Sequence, residues 1–218
     1  MRFLSDKDLR LKKMKNIVLI ILITAAGCGQ RRAVLLTGYW PPTNEMLRPF
    51  SADRKANPQG WQGKNWNGCG YDVYAYFPEF PQETDGDSAG GGYFRVDYQS
   101  SLEDFERITK KLRPYVVICY GRGKGPWEIE VNAAVPHRWH PDSAEPNLPV
   151  LIPGGAQALY STLPAEIIAE TVNRRVPSVR AWVDHEGSPG NFLCAYMMRL
   201  AADYQRRNCD PSKRDYCA

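Results

Sequence analysis

The chain has 218 residues and a formal net charge of +4 at pH 7. Six basic and two acidic residues precede Cys28 and account for the whole excess, so the remainder of the chain is neutral. Because a nucleic acid partner requires a concentrated positive surface, this charge balance argues against one. The neutral part, about 190 residues, is the size of one ordinary domain with a full core.

The first 27 residues have the pattern of an export signal. Basic residues precede an apolar run from Ile17 to Ala26, which is too short to cross a bilayer. The run ends in Thr24-Ala25-Ala26-Gly27-Cys28, which resembles a bacterial lipoprotein signal, whose cleavage leaves the cysteine as the lipidated first residue. We therefore expect a signal over residues 1–27, a short tether over 28–32, and an exported lipoprotein held at the cell-envelope membrane through Cys28. A plain signal or a single anchor helix is the alternative.

Residues 33–218 alternate between apolar strands and amphipathic helices. This alternation predicts an α/β protein, a single three-layer α/β/α domain with a central mixed, twisted sheet. The most apolar strand, Tyr115 to Tyr120, is expected inside the sheet, and Tyr39 to Gly70 is expected to be a loop. A capping box of Ser100 and Glu103 predicts the first helix. The predicted strands are Ala33 to Gly38, Tyr71 to Phe77, Tyr115 to Tyr120, Trp127 to Ala133 and Ser178 to Val183, and the predicted helices begin near Ser101, Pro164 and Asn191.

One cysteine lies close to the predicted start of the last helix. Ser188, Pro189 and Asn191 are suitable capping residues, and each start places Cys194 in the first turns. The positive end of a helix dipole favours a thiolate, so this position suits a nucleophile. A cysteine that simply fills an apolar core is the alternative interpretation.

The remaining cysteines leave the pairing open. Disulfides persist outside the cytoplasm, and with Cys28 lipidated five cysteines remain, so one must stay unpaired. Cys209 and Cys217 could form a local bridge, although spacing does not decide connectivity. No spacing of cysteine and histidine is typical of a zinc site, so the sequence predicts neither a metal nor a cofactor.

Four separated blocks occur together in one order along the chain. They are Leu35 to Tyr39 with Pro41, Val116 to Gly121, Tyr160 to Pro164, and Gly190 to Cys194. The set resembles the pyroglutamyl peptidase family of cysteine exopeptidases. The resemblance implies the family's α/β fold, Cys194 as the nucleophile, and a peptide with a blocked N-terminus as the substrate.

The resemblance also implies roles for other residues. A family glutamate precedes an alanine by three residues, and Glu130 with Ala133 matches that spacing, with Glu128 as the alternative. Glu130 is expected to face the cleft that contains Cys194. Substrate contacts are implied for Tyr39, Arg122, Phe192 and Leu193. Two positions depart from the family pattern: Pro42 stands in place of a second aromatic residue, and Arg122 in place of an amide side chain that touches the substrate ring.

The family completes its catalytic triad with a histidine on a strand beyond the cysteine. No histidine follows Cys194 in this sequence, so we expect either a truncated member of the family or a lineage without this base. His137, His140 and His185 are the alternatives for the base. Two functions follow: a lipid-anchored or secreted cysteine peptidase that removes an N-terminal pyroglutamyl or related residue, and a catalytically inactive binding module of the cell envelope.

Overall fold

The computed structural model of the protein describes residues 31–81, 88–123, 126–136, 138–142, 149, 158–187 and 190–208. The predicted signal, the lipid on Cys28, the candidate base His137, the cap Ser188 and the pair Cys209 and Cys217 lie outside these residues. No helix within the described ranges is both long and apolar enough to span a membrane.

Nine strands and four α-helices are assigned within the described residues. The strands are β1 Arg32–Gly38, β2 Tyr71–Tyr76, β3 Pro78–Glu79, β4 Gly91–Gly92, β5 Val116–Tyr120, β6 Trp127–Glu130, β7 Asn132–Ala133, β8 Leu159–Tyr160 and β9 Ala181–Asp184. The helices are α1 Pro41–Leu47, α2 Tyr98–Leu112, α3 Ala165–Arg175 and α4 Leu193–Asn208. The sequence-based prediction of an α/β fold is confirmed.

The central sheet has three parallel strands in the order β2, β1, β5. In its register, Leu35 of β1 lies between Tyr74 of β2 and Val117 of β5. Both faces of β1 are buried, which explains why it is an almost continuous apolar run instead of an alternating one. A second parallel pair, β6 with β9, carries part of the candidate site, and β7 pairs with β8 in antiparallel orientation.

Two predictions about the strands are wrong. Tyr115 to Tyr120 was expected inside the sheet, but β1 takes the middle position and β5 pairs only with β1 among the described strands. The strand expected over 127–133 is interrupted at Val131, because the chain changes partner there. The Val131 N–H donates to the carbonyl of Asp184 in β9 (3.4 Å). The Val131 carbonyl accepts from the N–H of Ser161, directly after β8 (2.9 Å).

Helix α1 lies within the segment that the sequence predicts as a loop. Its first two residues are prolines, which a helix tolerates only in its first turn, where no backbone N–H is required. Helix α2 begins at Tyr98, earlier than predicted. Its cap is Asp97, whose side chain accepts from the Ser100 N–H at 2.7 Å, so the expected capping box of Ser100 and Glu103 is not used.

The two faces of β1 build two hydrophobic clusters. Leu35 belongs to a cluster with residues of α2 and α4, such as Phe105 and Met197. Leu36, its neighbour in sequence, points the opposite way and packs with Leu47 of α1 and Val73 of β2. This alternation fixes α4, which carries Cys194, against the same face of the sheet as α2.

The outer edge of β2 is covered by the loop that precedes it. The Val73 N–H donates to the Gly63 carbonyl at 2.8 Å, and the Trp61 indole N–H donates to the Val73 carbonyl at 2.7 Å. The Trp61 ring also stacks on Tyr74, with ring centroids 4.7 Å apart. These contacts satisfy backbone groups that an open edge would leave unpaired.

We expect Gly63→Ala to destabilise the protein, because a Cβ atom at this position would overlap the Val73 carbonyl oxygen. The backbone must move to relieve the overlap, and the free energy of unfolding should fall by about 1–3 kcal/mol. Urea unfolding measures the change. Gly91→Ala is the matched control, since the nearest atom to its Cβ would lie at an ordinary 3.9 Å; equal stability of the two variants would contradict the role of Gly63.

Candidate active site

Cys194 is the second residue of α4 and lies directly above the turn that follows β5. A Cβ atom placed on Gly121 would be 2.5 Å from the Cys194 sulfur, closer than such atoms approach in proteins. Only glycine therefore allows the thiol to occupy this position. The glycine after β5, part of the block that resembles the peptidase family, has a direct steric role in seating the thiol.

Burial raises the pKa of the Cys194 thiol above its ordinary value. Backbone N–H groups of Arg122 and of Cys194 itself point to the sulfur and lower the pKa, while the charge of Glu130 raises it. The expectation that the helix start leaves a favoured thiolate is therefore wrong. The loss of water around a half-buried sulfur outweighs the two N–H groups, so Cys194 needs a base to become a nucleophile.

Glu130 lies close enough to Cys194 for its charge to act on the thiol. Its own pKa is raised to about 7, first by burial and then by the charges of Glu128 and Asp184. Asp184 faces Glu130 across the β6–β9 pair. The Asp184 pKa is lowered by the N–H groups of Gly187 and Glu186, which bond its Oδ1 at 2.6 and 3.0 Å, so this neighbour stays charged.

Glu130 and Glu128 differ in burial and in their effect on the thiol. Glu130 is half-buried and acts on the thiol, whereas Glu128 is exposed and is not among the groups that shift the pKa of Cys194. The register places Glu128 beside Trp182, farther back along β6. Partial loss of water around its carboxyl group and a hydrogen bond to Asp184 raise the Glu128 pKa.

Three polar side chains form a cluster at the candidate site, and those of Thr37 and Tyr39 are buried. Tyr39, directly after β1, and Cys119, in β5, are near Cys194, and Thr37 of β1 is near both of them. Burial raises the Tyr39 pKa well above its ordinary value and raises the pKa of Cys119 to about 11. The hydroxyl groups of Thr37 and Tyr39 make no hydrogen bond of normal geometry within the described residues. Tyr39 is 7% exposed and packs edge-on against Phe94, so its ring belongs to the core behind the site.

Arg122 contributes two different groups. Its backbone N–H points to the Cys194 sulfur, and its exposed guanidinium lies over the ring of Trp40 at 5.6 Å. Trp40 is half-buried and immediately precedes α1. Sequence reasoning did not single out Trp40, Gly121 or Cys119 as site residues. The available signals were a second aromatic residue two positions after the end of β1 and a glycine directly after β5.

Phe192 and Leu193, the other predicted substrate contacts, differ in exposure. Leu193 is 1% exposed and belongs to the hydrophobic core, so its side chain does not reach the surface of the site. Phe192 is half-buried and packs edge-on against Tyr98 and His140, with ring centroids 5.5 and 5.3 Å away. Of the two, Phe192 is the one whose side chain lies partly open to solvent.

The two described histidines are held at the surface by other groups. His185 Nε2 lies 3.0 Å from a carboxylate oxygen of Glu166 on α3. His140 is exposed, its Nδ1 is 2.7 Å from the Pro141 carbonyl, and its backbone N–H donates to Asn191. Neither histidine is among the groups that shift the pKa of Cys194. Among the described residues, the polar side chain that acts on the thiol is therefore a carboxyl group, that of Glu130.

Comparison with solved structures shows which class of fold this is. Pyroglutamyl peptidase I from Bacillus amyloliquefaciens superposes with a TM-score of 0.55 at 19% identity, covering 81% of this chain and 75% of that one. The pyrrolidone carboxyl peptidase of Thermococcus litoralis gives 0.56 at 19% identity over 81% and 70% of the two chains. A mutant pyrrolidone carboxyl peptidase from P. furiosus gives 0.54 at 20% identity over 80% and 74%.

The chain therefore has the α/β fold of the pyroglutamyl peptidases. No family model and no curated protein matches its sequence. At identities of 19–20% the likeness to these structures describes the fold.

Proposed function

We propose that the protein is a thiol-dependent exopeptidase that removes a pyroglutamyl or related residue from the N-terminus of peptides. One observation carries the proposal. In a pyroglutamyl peptidase fold, the Cys194 thiol, the Glu130 carboxyl group and two backbone N–H groups converge at the start of one helix. These are a nucleophile, a proton acceptor and donors for a developing negative charge.

The chemistry follows from these groups. Glu130 takes the thiol proton while the Cys194 sulfur attacks the carbonyl carbon of the scissile amide, and a carbon–sulfur bond forms. The backbone N–H groups of Arg122 and Cys194 hold the carbonyl oxygen as it becomes negative. The carbon–nitrogen bond then breaks, and the leaving amine takes the proton from Glu130. Water, deprotonated by Glu130, cleaves the thioester, releasing the N-terminal residue and restoring the thiol.

Glu130 suits the role of base because of its environment. A general base works best with a pKa near the working pH, and the pKa of Glu130 is raised to about 7 by burial and by its acidic neighbours. The proposed site does not depend on a histidine of the downstream strand that the family resemblance implies. An extracytoplasmic, lipid-anchored location through Cys28 is part of the proposal and stays a prediction.

A catalytically inactive binding module on the same fold is the second candidate. The raised pKa of Cys194 favours it, since a thiol that stays protonated at neutral pH is a poor nucleophile. The positions of the described histidines favour it as well, because His185 pairs with Glu166 and His140 bonds Pro141.

Hydrolysis of pyroglutamyl-aminomethylcoumarin by the full chain separates the two candidates. We expect release of the fluorophore, with loss of turnover in Cys194→Ala. Cys69→Ala is the matched control, because Cys69 is exposed and lies in the loop before β2. Turnover that survives in Cys194→Ala would refute the thiol mechanism. Binding of a pyroglutamyl dipeptide without turnover by the wild-type protein would identify the binding module instead.

A further inference from the structure

The guanidinium of Arg122 lies at the candidate site with a defined position. Gly121 packs beneath the Cys194 sulfur, and the next residue, Arg122, points its backbone N–H to that sulfur. From there its side chain extends over Trp40, with the guanidinium carbon 5.6 Å from the ring centre. The cation thus lies beside Trp40, whose neighbour in sequence, Tyr39, is close enough to Cys194 for the charge of the thiol to act on it.

Nothing in the described part of the chain neutralises this cation. Among the described residues Arg122 takes part in no ion pair, unlike Arg48, Arg107 and Arg206. Stacking on the half-buried Trp40 ring contributes about 0.5–2 kcal/mol and leaves the N–H donors of the guanidinium available. Such a planar set of donors matches a carboxylate in a two-point, charge-assisted contact.

Two carboxyl groups lie on the β6–β9 strand pair of the site. Glu130 acts on the thiol, and Asp184, which faces it across the strand pair, stays ionised. The site thus draws acidic side chains from β6 and β9 and a basic side chain from the turn after β5. A pyroglutamyl ring carries no charge, whereas an open-chain acidic N-terminal residue carries an ammonium group and a side-chain carboxylate.

We propose that the site selects peptides whose N-terminal residue has an acidic side chain, with Arg122 binding that carboxylate. The proposal rests on the proposed exopeptidase function and specifies its substrate class. Arg122 stands where the family resemblance implies an amide side chain against the neutral ring, so the change of charge at this position accompanies a change of substrate. Trp40 holds the guanidinium in place for this contact.

The test compares glutamyl-, glutaminyl- and pyroglutamyl-aminomethylcoumarin as substrates of the full chain. Glutamine has the shape of glutamate without the charge. A charge-assisted hydrogen bond contributes about 1.5–3 kcal/mol, so kcat/KM for the glutamyl substrate should exceed that for the glutaminyl one by about 10- to 100-fold. Arg122→Gln should remove this preference, Arg122→Lys should keep part of it, and Arg175→Gln, on the exposed end of α3, should leave it intact.

Several outcomes overturn the inference. A wild-type protein that cleaves the pyroglutamyl substrate and does not prefer glutamate over glutamine refutes the inference while the exopeptidase function stands. An unchanged preference in Arg122→Gln also refutes it. Far-UV circular dichroism checks that each variant is folded.

A second measurement does not depend on turnover. Dipeptides that occupy the site should protect Cys194 from iodoacetamide, and mass spectrometry identifies the alkylated cysteine. We expect Glu-Ala to protect the wild-type protein at a concentration about 10- to 100-fold lower than Gln-Ala, with no such difference in Arg122→Gln. If no substrate is cleaved but this protection is observed, the exopeptidase function fails and the acidic specificity stands. Equal protection by both dipeptides refutes the specificity.

Discussion

Glu130→Gln should lower kcat/KM for peptide hydrolysis by about a hundred- to ten-thousand-fold, the usual contribution of a general base. Glutamine keeps the size of the side chain and removes its ability to accept the thiol proton. The burial that raises the Cys194 pKa makes this loss severe, since the thiol does not ionise readily by itself at neutral pH. Steady-state kinetics with the fluorogenic peptides measures the change.

The same substitution should have the opposite effect on alkylation. The negative charge of Glu130 raises the Cys194 pKa, so its removal lowers that pKa and increases the thiolate fraction at a given pH. Iodoacetamide, which needs only the thiolate, should therefore react faster with Cys194 in Glu130→Gln than in the wild type. Slower turnover together with faster alkylation distinguishes loss of a base from general damage to the site.

The pH dependence follows from the direction of the Glu130 shift. Its pKa is raised to about 7, so below that pH the carboxyl group is protonated and cannot accept the thiol proton. Activity should rise as the pH increases through about 7, and this limb should disappear in Glu130→Gln. Glu128→Gln is the matched control on the same strand; it should retain activity, with a Glu130 pKa lowered because one repelling charge is gone. An equal loss of activity in both variants would contradict the assignment of Glu130.

Gly121→Ala should impair the site through shape alone. The added Cβ would lie 2.5 Å from the Cys194 sulfur and 3.4 Å from its Cβ, so the thiol or the turn after β5 must move. A displacement of about 1 Å in a reacting group can reduce turnover about a hundredfold. We expect a loss of that order, with a decrease of about 1–3 kcal/mol in the free energy of unfolding from overpacking.

Gly123→Ala provides the comparison two residues along the same turn. No atom of the described residues lies within 4 Å of the Cβ that it would introduce, so activity and stability should stay close to those of the wild type. The two variants are assayed together with a pyroglutamyl or glutamyl substrate, and unfolding is followed in urea. Full activity in Gly121→Ala would show that the thiol is not seated on this turn.

Several local features could be predicted from sequence because neighbouring residues determine them. The apolar run Ala33 to Gly38 predicts a buried strand, and β1 occupies it with one further residue. The last helix begins at Leu193, close to the predicted start, and Cys194 is in its first turn. Helix α2 begins earlier than predicted because Asp97 caps it in place of the Ser100 and Glu103 pattern.

The arrangement of strands depended on contacts between distant segments. The apolar character of Tyr115 to Tyr120 indicates burial, and burial arises from helices as readily as from strands on both sides. The structure places β1 in the middle and β5 beside it. The break at Val131 likewise arises from two partners, Asp184 and Ser161, which lie more than 25 residues away along the chain.

The protonation of the site was decided by the tertiary structure. From sequence, Cys194 is a thiol at a helix start, and the local dipole predicts a lowered pKa. In the folded chain the thiol is half-buried and has the Glu130 carboxyl group near it, so the pKa is raised. Desolvation and charge act through space, and the groups responsible come from the turn after β5 and from β6. Sequence alone pointed to Cys194 and Glu130 as candidate site residues, and only their packing determines which of them holds the proton.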